Sequence, residues 1–225
     1  MSEFKLFDRG AKRTALLIPG WAADYRIFNS LDLEANYLMP IEFSPFDFEK
    51  SFIEAMARYN IDKISIIGWS MGGFIGSDLL SRCKDRITDI TFVSVRRGYP
   101  KEEIEATRSY LKKNKTAFLY RFYNDCFSGE ERKELSAFKA GLMKNYLNEI
   151  SMDTLLEGLQ YLSTSRILPQ NLAGINVKFI HGTEDKVAPM KEVLELKDQL
   201  PDARLIAVKG AGHILFLKNS FREIS

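Results

Sequence analysis

The pentapeptide Gly68-Trp69-Ser70-Met71-Gly72 follows the apolar run Ile64-Ser65-Ile66-Ile67 and precedes Gly73 and Gly76. The run ahead of it has the length and β-branched content of a buried strand. The small residues behind it suit a helix packed close against a sheet. A serine between the two must lie on a sharp strand-to-helix turn. Such a turn pushes the hydroxyl out above the sheet and sets the N–H of the next residue beside it. The flanking glycines are needed because strand and helix backbones approach where a side chain would clash. The pattern predicts a nucleophilic serine at position 70, on a sheet covered by helices.

A serine hydroxyl is a poor nucleophile until a base takes its proton, and the base needs a third group to orient it. The chain has only two histidines, His181 and His213. His213 lies in Gly210-Ala211-Gly212-His213, after the strand-like stretch Ala203-Arg204-Leu205-Ile206-Ala207-Val208. His181 ends Val177-Lys178-Phe179-Ile180 and is followed by Gly182-Thr183-Glu184-Asp185. In α/β-hydrolases, which this serine turn resembles, the acid and then the histidine follow the serine along the chain. Ser70, Asp185 and His213 satisfy that order, with acid and base each on a loop at the carboxyl end of a strand. For His181 to be the base, the acid would have to lie between positions 70 and 181, where carboxylates read mainly as helical surface charges. His181 is therefore read as structural. Asp185 is favoured over Glu184 because the shorter side chain suits a buried carboxylate held by loop backbone. Glu184 reads as a solvated loop charge. His213 is expected within hydrogen-bond reach of both Ser70 and Asp185. The loop Pro19-Gly20-Trp21-Ala22 follows the buried-strand signal Ala15-Leu16-Leu17-Ile18. It is placed to give the Trp21 N–H to a developing oxyanion, with the Met71 N–H as second donor.

Strand signals fall at 3–7, 14–18, 38–43, 63–67, 89–94, 177–181 and 204–208. Helical patterns fall near 24–30, 48–59, 71–82, 190–199 and in a short stretch after 215. Strands alternating with helices predict an α/β chain with a mainly parallel sheet. Residues 97–168 break the alternation with amphipathic stretches at 101–113, 116–127, 130–148 and 152–162. The chain thus divides into a core of residues 1–96 and 169–225 and a helical lid insertion of residues 97–168, over the site. Within the lid, Ser128-Gly129-Glu130-Glu131 reads as a capping box and as nothing more.

The chain resembles the α/β-hydrolase-fold serine esterases, and within them the pimeloyl-acyl-carrier-protein methyl ester esterases of biotin synthesis. The matching pieces are Leu17-Ile18-Pro19-Gly20-Trp21, Gly68-Trp69-Ser70-Met71-Gly72-Gly73 and Arg121-Phe122. Further along come His181-Gly182-Thr183-Glu184-Asp185 with Val187-Ala188-Pro189, and Ala211-Gly212-His213. They span most of the chain in the family's order. The resemblance implies the α/β-hydrolase fold, with Ser70, Asp185 and His213 as triad and Trp21 and Met71 at the oxyanion hole. It also implies that Trp69 and Phe122 line an acyl pocket. The chain departs from the family in carrying Pro19 where a histidine is usual. It also has a short passage, Ser44-Pro45-Phe46-Asp47, in place of a glycine-rich loop.

Composition limits the other readings. With 225 residues and 45% hydrophobic content the chain can build one large core. A net charge of +2 does not suggest nucleic-acid binding. No run approaches the roughly 20 apolar residues that span a bilayer, so no membrane association is expected. Met1 to Arg9 carries no apolar signal-peptide core. Cys83 and Cys126 form no C-x-x-C pair and fit free thiols in a reducing compartment, so a cytoplasmic location is expected. So few histidines and cysteines predict no metal site, and no cofactor is expected. Segment 96–121 is locally basic, with Arg96, Arg97, Lys101, Arg108, Lys112, Lys113, Lys115 and Arg121 against Glu102, Glu103 and Glu105. A basic rim carrying Arg97, Arg108 and Arg121 could steer an acidic acyl-carrier protein, although a solvated helix face reads equally well.

The expected activity is carboxylester hydrolysis through an acyl-serine, on a small acyl ester that an acyl-carrier protein could deliver. The same fold and residues also serve lyases, C–C hydrolases, thioesterases and acyltransferases. A non-catalytic acyl-binding protein is a further alternative, against which the Ser–Asp–His set counts.

Overall fold

A computed structural model describes residues 2–217. The apolar run ahead of Ser70 is strand β4 (Ile64–Trp69). Ile66 and Ile67 point to opposite faces and both are buried, as expected of an inner strand covered on two sides. Around it lie β1 (Glu3–Phe7), β2 (Thr14–Ile18), β3 (Asn36–Glu42), β5 (Ile87–Val93), β6 (Asn176–Gly182) and β7 (Arg204–Val208). They form one sheet in the order β1-β3-β2-β4-β5-β6-β7. Only β1 runs antiparallel, against β3; every other pairing is parallel. The carboxyl ends of β2, β4, β5, β6 and β7 therefore share one edge, where open α/β sheets place their sites.

Helices α1 (Phe48–Arg58), α2 (Met71–Cys83) and α8 (Met190–Asp198) connect the parallel strands. Helix α1 buries Phe48, Phe52, Ala55 and Met56, which recur at helical spacing along one face. The expected helix over 24–30 is a single 3-10 turn, Tyr25–Phe28, whose entry Asp24 caps by accepting from the Arg26 N–H. The short helix expected beyond residue 215 lies outside the described residues.

Between β5 and β6 come α3 (Lys101–Lys113), α4 (Lys115–Asp125), α5 (Arg132–Phe138), α6 (Lys144–Glu149) and α7 (Met152–Thr164). The single helix expected over 130–148 is divided by a π-helical turn at Lys139–Met143 that contains Gly141, the weakest helix former of the stretch. The chain enters and leaves this helical segment side by side. Ile167 N–H donates to the Arg97 carbonyl at 2.9 Å, and Gly98 pairs with Arg166. Apolar side chains of these helices, among them Leu119, Tyr123, Phe138 and Tyr146, are buried in the same continuous core as the sheet.

Candidate active site

Ser70 joins β4 to α2 with φ 52° and ψ −116°, a left-handed backbone that an L-residue adopts only when the surroundings hold it there. Its N–H is tied to the Val93 carbonyl at 2.9 Å and its own carbonyl to the Gly73 N–H at 2.9 Å. The neighbouring glycines permit the turn. A Cβ on Gly68 would come within 2.6 Å of the Gly72 carbonyl oxygen, and one on Gly72 would collide with the Ile18 carbonyl. On the far side, Gly20 leaves so little space that an added Cβ would lie 3.0 Å from the Ser70 Cβ. The Gly20-Trp21 loop after β2 is thus packed directly on the serine. Met71 opens α2, where the first N–H groups have no intrahelical acceptor.

Asp185 follows β6 and is buried. Its Oδ1 accepts from the backbone N–H groups of Val187 at 2.9 Å and Ala188 at 2.8 Å. Its Oδ2 accepts from His213 Nδ1 at 2.8 Å. Glu184 is exposed. The His213 ring packs against Trp69, with centroids 5.6 Å apart, and the Trp69 indole N–H donates to the His213 carbonyl at 3.0 Å. These contacts put the base candidate beside the serine's strand. His181 is wholly buried beneath it. Its Nε2 donates to the Ala188 carbonyl at 2.7 Å and stays 3.7 Å from Asp185 Oδ2. Burial holds the His181 imidazole below its ordinary pKa, partly offset by the Asp185 charge.

One expected contact is not made. His213 Nε2 is buried and finds no hydrogen-bond partner among the described residues, so it does not bond Ser70. The Ser70 side chain instead shares a cavity with the Tyr99 hydroxyl, which it faces. Burial pushes that phenol well above its ordinary pKa, so Tyr99 stays a neutral hydroxyl. Nucleophile–base bonds are commonly long before substrate binds.

The cavity over Ser70 measures about 300 Å³. Its walls are mostly apolar, from Trp21, Ile104, Phe118, Phe122, Leu159 and Leu162, with Glu103, Asp125 and Lys186 among the polar lining. Trp21 is held by its indole N–H, which donates to the Leu155 carbonyl of α7 at 2.9 Å. A larger cavity of about 680 Å³ lies on the other side of Trp21 and Met71 and does not include Ser70. Among the described residues no cluster of three His, Cys, Asp or Glu side chains is arranged to hold a metal ion. No helix among them is long and apolar enough to cross a membrane.

A serine on a strained strand-to-helix turn, with a His–Asp pair at the ends of the later strands of a parallel sheet, matches one family in sequence as well. The model of the alpha/beta hydrolase fold family covers residues 32–220. The chain belongs to that family. This hydrolase is 29% identical over 174 residues to the pimeloyl-[acyl-carrier protein] methyl ester esterase of Nitrosomonas europaea, covering 72% of this chain and 68% of that protein. Its fold is shared with the esterase EaEST of Exiguobacterium antarcticum, at a TM-score of 0.84 and 17% identity over 99% of this chain and 94% of that one. A bromoperoxidase of Bacillus anthracis superposes at a TM-score of 0.85 and 18% identity, over 99% and 94% of the two chains.

The remaining expected site residues of the hydrolase are dispersed. Phe122 lines the Ser70 cavity and packs edge-on against Trp21, with centroids 5.2 Å apart. Trp69, expected in the same wall, is not among the lining residues. It is buried beneath the serine, where its ring supports His213 and meets Phe216 at 6.0 Å. Arg97 and Arg121 are exposed, and Arg121 only approaches Asp125, at 3.7 Å. Arg108 is half-buried, 3.4 Å from Glu105 and from Gln160. Arg96, counted in the basic segment, is not on the rim at all. It is buried and neutralised by Glu103 at 2.9 Å and Glu192 at 2.6 Å. Tyr99 carried no signal in the sequence; only the fold brings it to Ser70.

Proposed function

We propose that this hydrolase is a serine carboxylesterase working through an acyl-Ser70 intermediate. The observation that carries the reading is the His213–Asp185 pair, 2.8 Å apart and packed against Trp69, the residue before a serine held at φ 52°. With an ester in the cavity, Ser70 Oγ attacks the carbonyl carbon and His213 Nε2 takes the hydroxyl proton. Asp185 keeps Nδ1 protonated and stabilises the imidazolium that forms. The carbonyl oxygen, now an oxyanion, accepts from the Trp21 and Met71 N–H groups, a contribution of about 3 kcal/mol for one such donor. His213 returns the proton to the departing alkoxide. It then draws a proton from water, which attacks the acyl-serine and releases the acid. Water entry is limited by the helical segment 97–168, which acts as a lid: its Phe118, Phe122, Leu159 and Leu162 close the cavity over Ser70.

The finer reading is a methyl ester of an acyl chain delivered on acyl-carrier protein. Two features support it: the likeness to the Nitrosomonas europaea enzyme, and two exposed arginines, Arg97 and Arg121, on the segment that bears the cavity walls. The apolar lining suits an acyl chain better than a sugar or a peptide. A cytoplasmic location fits such a substrate and two free thiols.

The deciding experiment compares wild type with Ser70→Ala on a short-chain p-nitrophenyl ester, alongside labelling by a fluorophosphonate. Wild type should turn the ester over and take one covalent label on Ser70. The variant should lose turnover by about a million-fold at unchanged melting temperature. Turnover without a labelled Ser70, or an alanine variant within about tenfold of wild type, would remove the acyl-serine and leave water attacking the ester directly, with a general base taking its proton.

A further inference from the structure

Two carboxylates are buried in the described structure, Asp185 and Glu131. Asp185 holds the His213 ring. Glu131, which looked like a local cap, holds the backbone next to it. Its Oε2 accepts from the Ser128 N–H at 2.8 Å and from the Gly212 N–H, 81 residues on, also at 2.8 Å. Further bonds join the same pair of segments. The His213 N–H donates to the Cys126 carbonyl at 2.7 Å, and the Ser128 hydroxyl donates to the Gly210 carbonyl. The fit is close: a Cβ on Gly212 would fall 2.6 Å from the Cys126 carbonyl oxygen and 2.9 Å from Glu131 Oε2.

We infer that Glu131 is a positioning residue for His213, through which the helical segment between β5 and β6 sets how far the base reaches toward Ser70. The inference rests on His213 being the base, as proposed above. Residues 210–213 have no regular structure after β7 and cannot hold the imidazole by themselves. Their N–H groups at Gly212 and His213 are satisfied by the 126–131 turn instead of by the sheet. One side-chain oxygen takes both N–H groups at a site shielded from water, so its reach fixes the distance between the two segments. Among the described residues the imidazole Nε2 has no hydrogen-bond partner, so the last part of its approach to Ser70 depends on where the main chain of Gly212 and His213 sits. A shift of about 1 Å at such a point can cost a hundredfold in rate.

Three variants test this: Glu131→Ala, Glu131→Gln and Glu131→Asp, each with its melting temperature recorded. Two rates are measured for each. One is turnover of the short-chain ester; the other is phosphonylation of Ser70 by a fluorophosphonate, which needs the base but no particular ester. The alanine and aspartate variants should lose about 10- to 100-fold in kcat and in labelling rate, with KM changed less than about threefold. Aspartate keeps the charge but is one methylene too short to bridge Ser128 and Gly212. Glutamine keeps an acceptor oxygen at the right reach and should stay within about fivefold of wild type. If alanine fails to fold, the contrast between aspartate and glutamine carries the test. Wild-type kcat in the aspartate variant overturns the inference, as does a glutamine variant as slow as aspartate. A wild-type protein that takes the fluorophosphonate on Ser70 but hydrolyses no ester sinks the esterase reading and leaves the positioning test intact in the labelling rates.

Discussion

Asp185 divides its two oxygens: Oδ1 receives the backbone N–H groups of Val187 and Ala188, and Oδ2 alone faces the His213 ring at 2.8 Å. The carboxylate is therefore fixed by its own loop before it orients the imidazole. His181 lies 3.7 Å from the same Oδ2 but spends its Nε2 proton on the Ala188 carbonyl. The two histidines should respond very differently to substitution. His213→Ala should lose about a million-fold in ester turnover, and Asp185→Asn about ten-thousand-fold. His181→Asn, which removes only a support of the acid's loop, should lose no more than about tenfold. Steady-state hydrolysis of one ester by the three variants decides it. A His181 variant as inactive as His213→Ala would reassign the base.

Phe122 is edge-on to Trp21 inside the Ser70 cavity, so it should sense the acyl chain. In Phe122→Ala, kcat/KM for a hexanoyl ester should fall about tenfold, the worth of one or two buried methylenes. The acetyl ester, four carbons shorter, should change less than about twofold. An equal loss on both esters would mean that Phe122 acts by holding Trp21 and not by touching substrate.

Arg97 and Arg121 stand in solvent, whereas Arg108 is engaged with Glu105 and Gln160. Replacing Arg97 and Arg121 together by alanine should slow turnover of a carrier-bound acyl ester about tenfold and leave a free ester unchanged. Arg108→Ala should have the smaller effect. Raising salt should imitate the double variant, because the screening length shrinks to about 3 Å at 1 M. The comparison is kcat/KM on the two substrates at low and high salt. Identical responses on both would reduce the arginines to a solvated face.

His181 is buried neutral, and its folded-state pKa lies below the unfolded value of about 6.5. Below that pH the unfolded chain binds a proton that the folded chain does not. The stability tied to this neutral imidazole is therefore full above about pH 6.5 and is lost as the pH falls beneath it toward the folded-state value. Melting temperatures at pH 7.5 and pH 5 should show a larger loss for wild type than for His181→Asn. Equal losses would mean that other groups govern the acid limb.

Local pattern was enough for a large part of this protein. The β-branched run before Ser70 and the glycines around it restrict the backbone over a few residues, so the turn and its strand were legible. The same holds for the parallel strands and for the loops that carry Trp21, Asp185 and His213 at their carboxyl ends. With two histidines in the chain, little competition remained for the partner of Asp185. What depended on contacts between distant segments was not legible. Glu131 reads as a cap because its local partner, Ser128, is three residues away; its second partner, Gly212, comes within reach only when the helical segment folds back over β7. Trp69 looked like a pocket wall, yet the packing of His213 and Phe216 against it places it beneath the serine. Arg96 counted as surface charge until Glu103 and Glu192 enclosed it. Whether Ser70 faces His213 or Tyr99 is likewise settled by how the loops settle on one another. Hydrophobic period and turn chemistry are short-range and are written in the order of residues. The pairing of a buried polar group is a long-range choice made by packing, and only the tertiary structure records it.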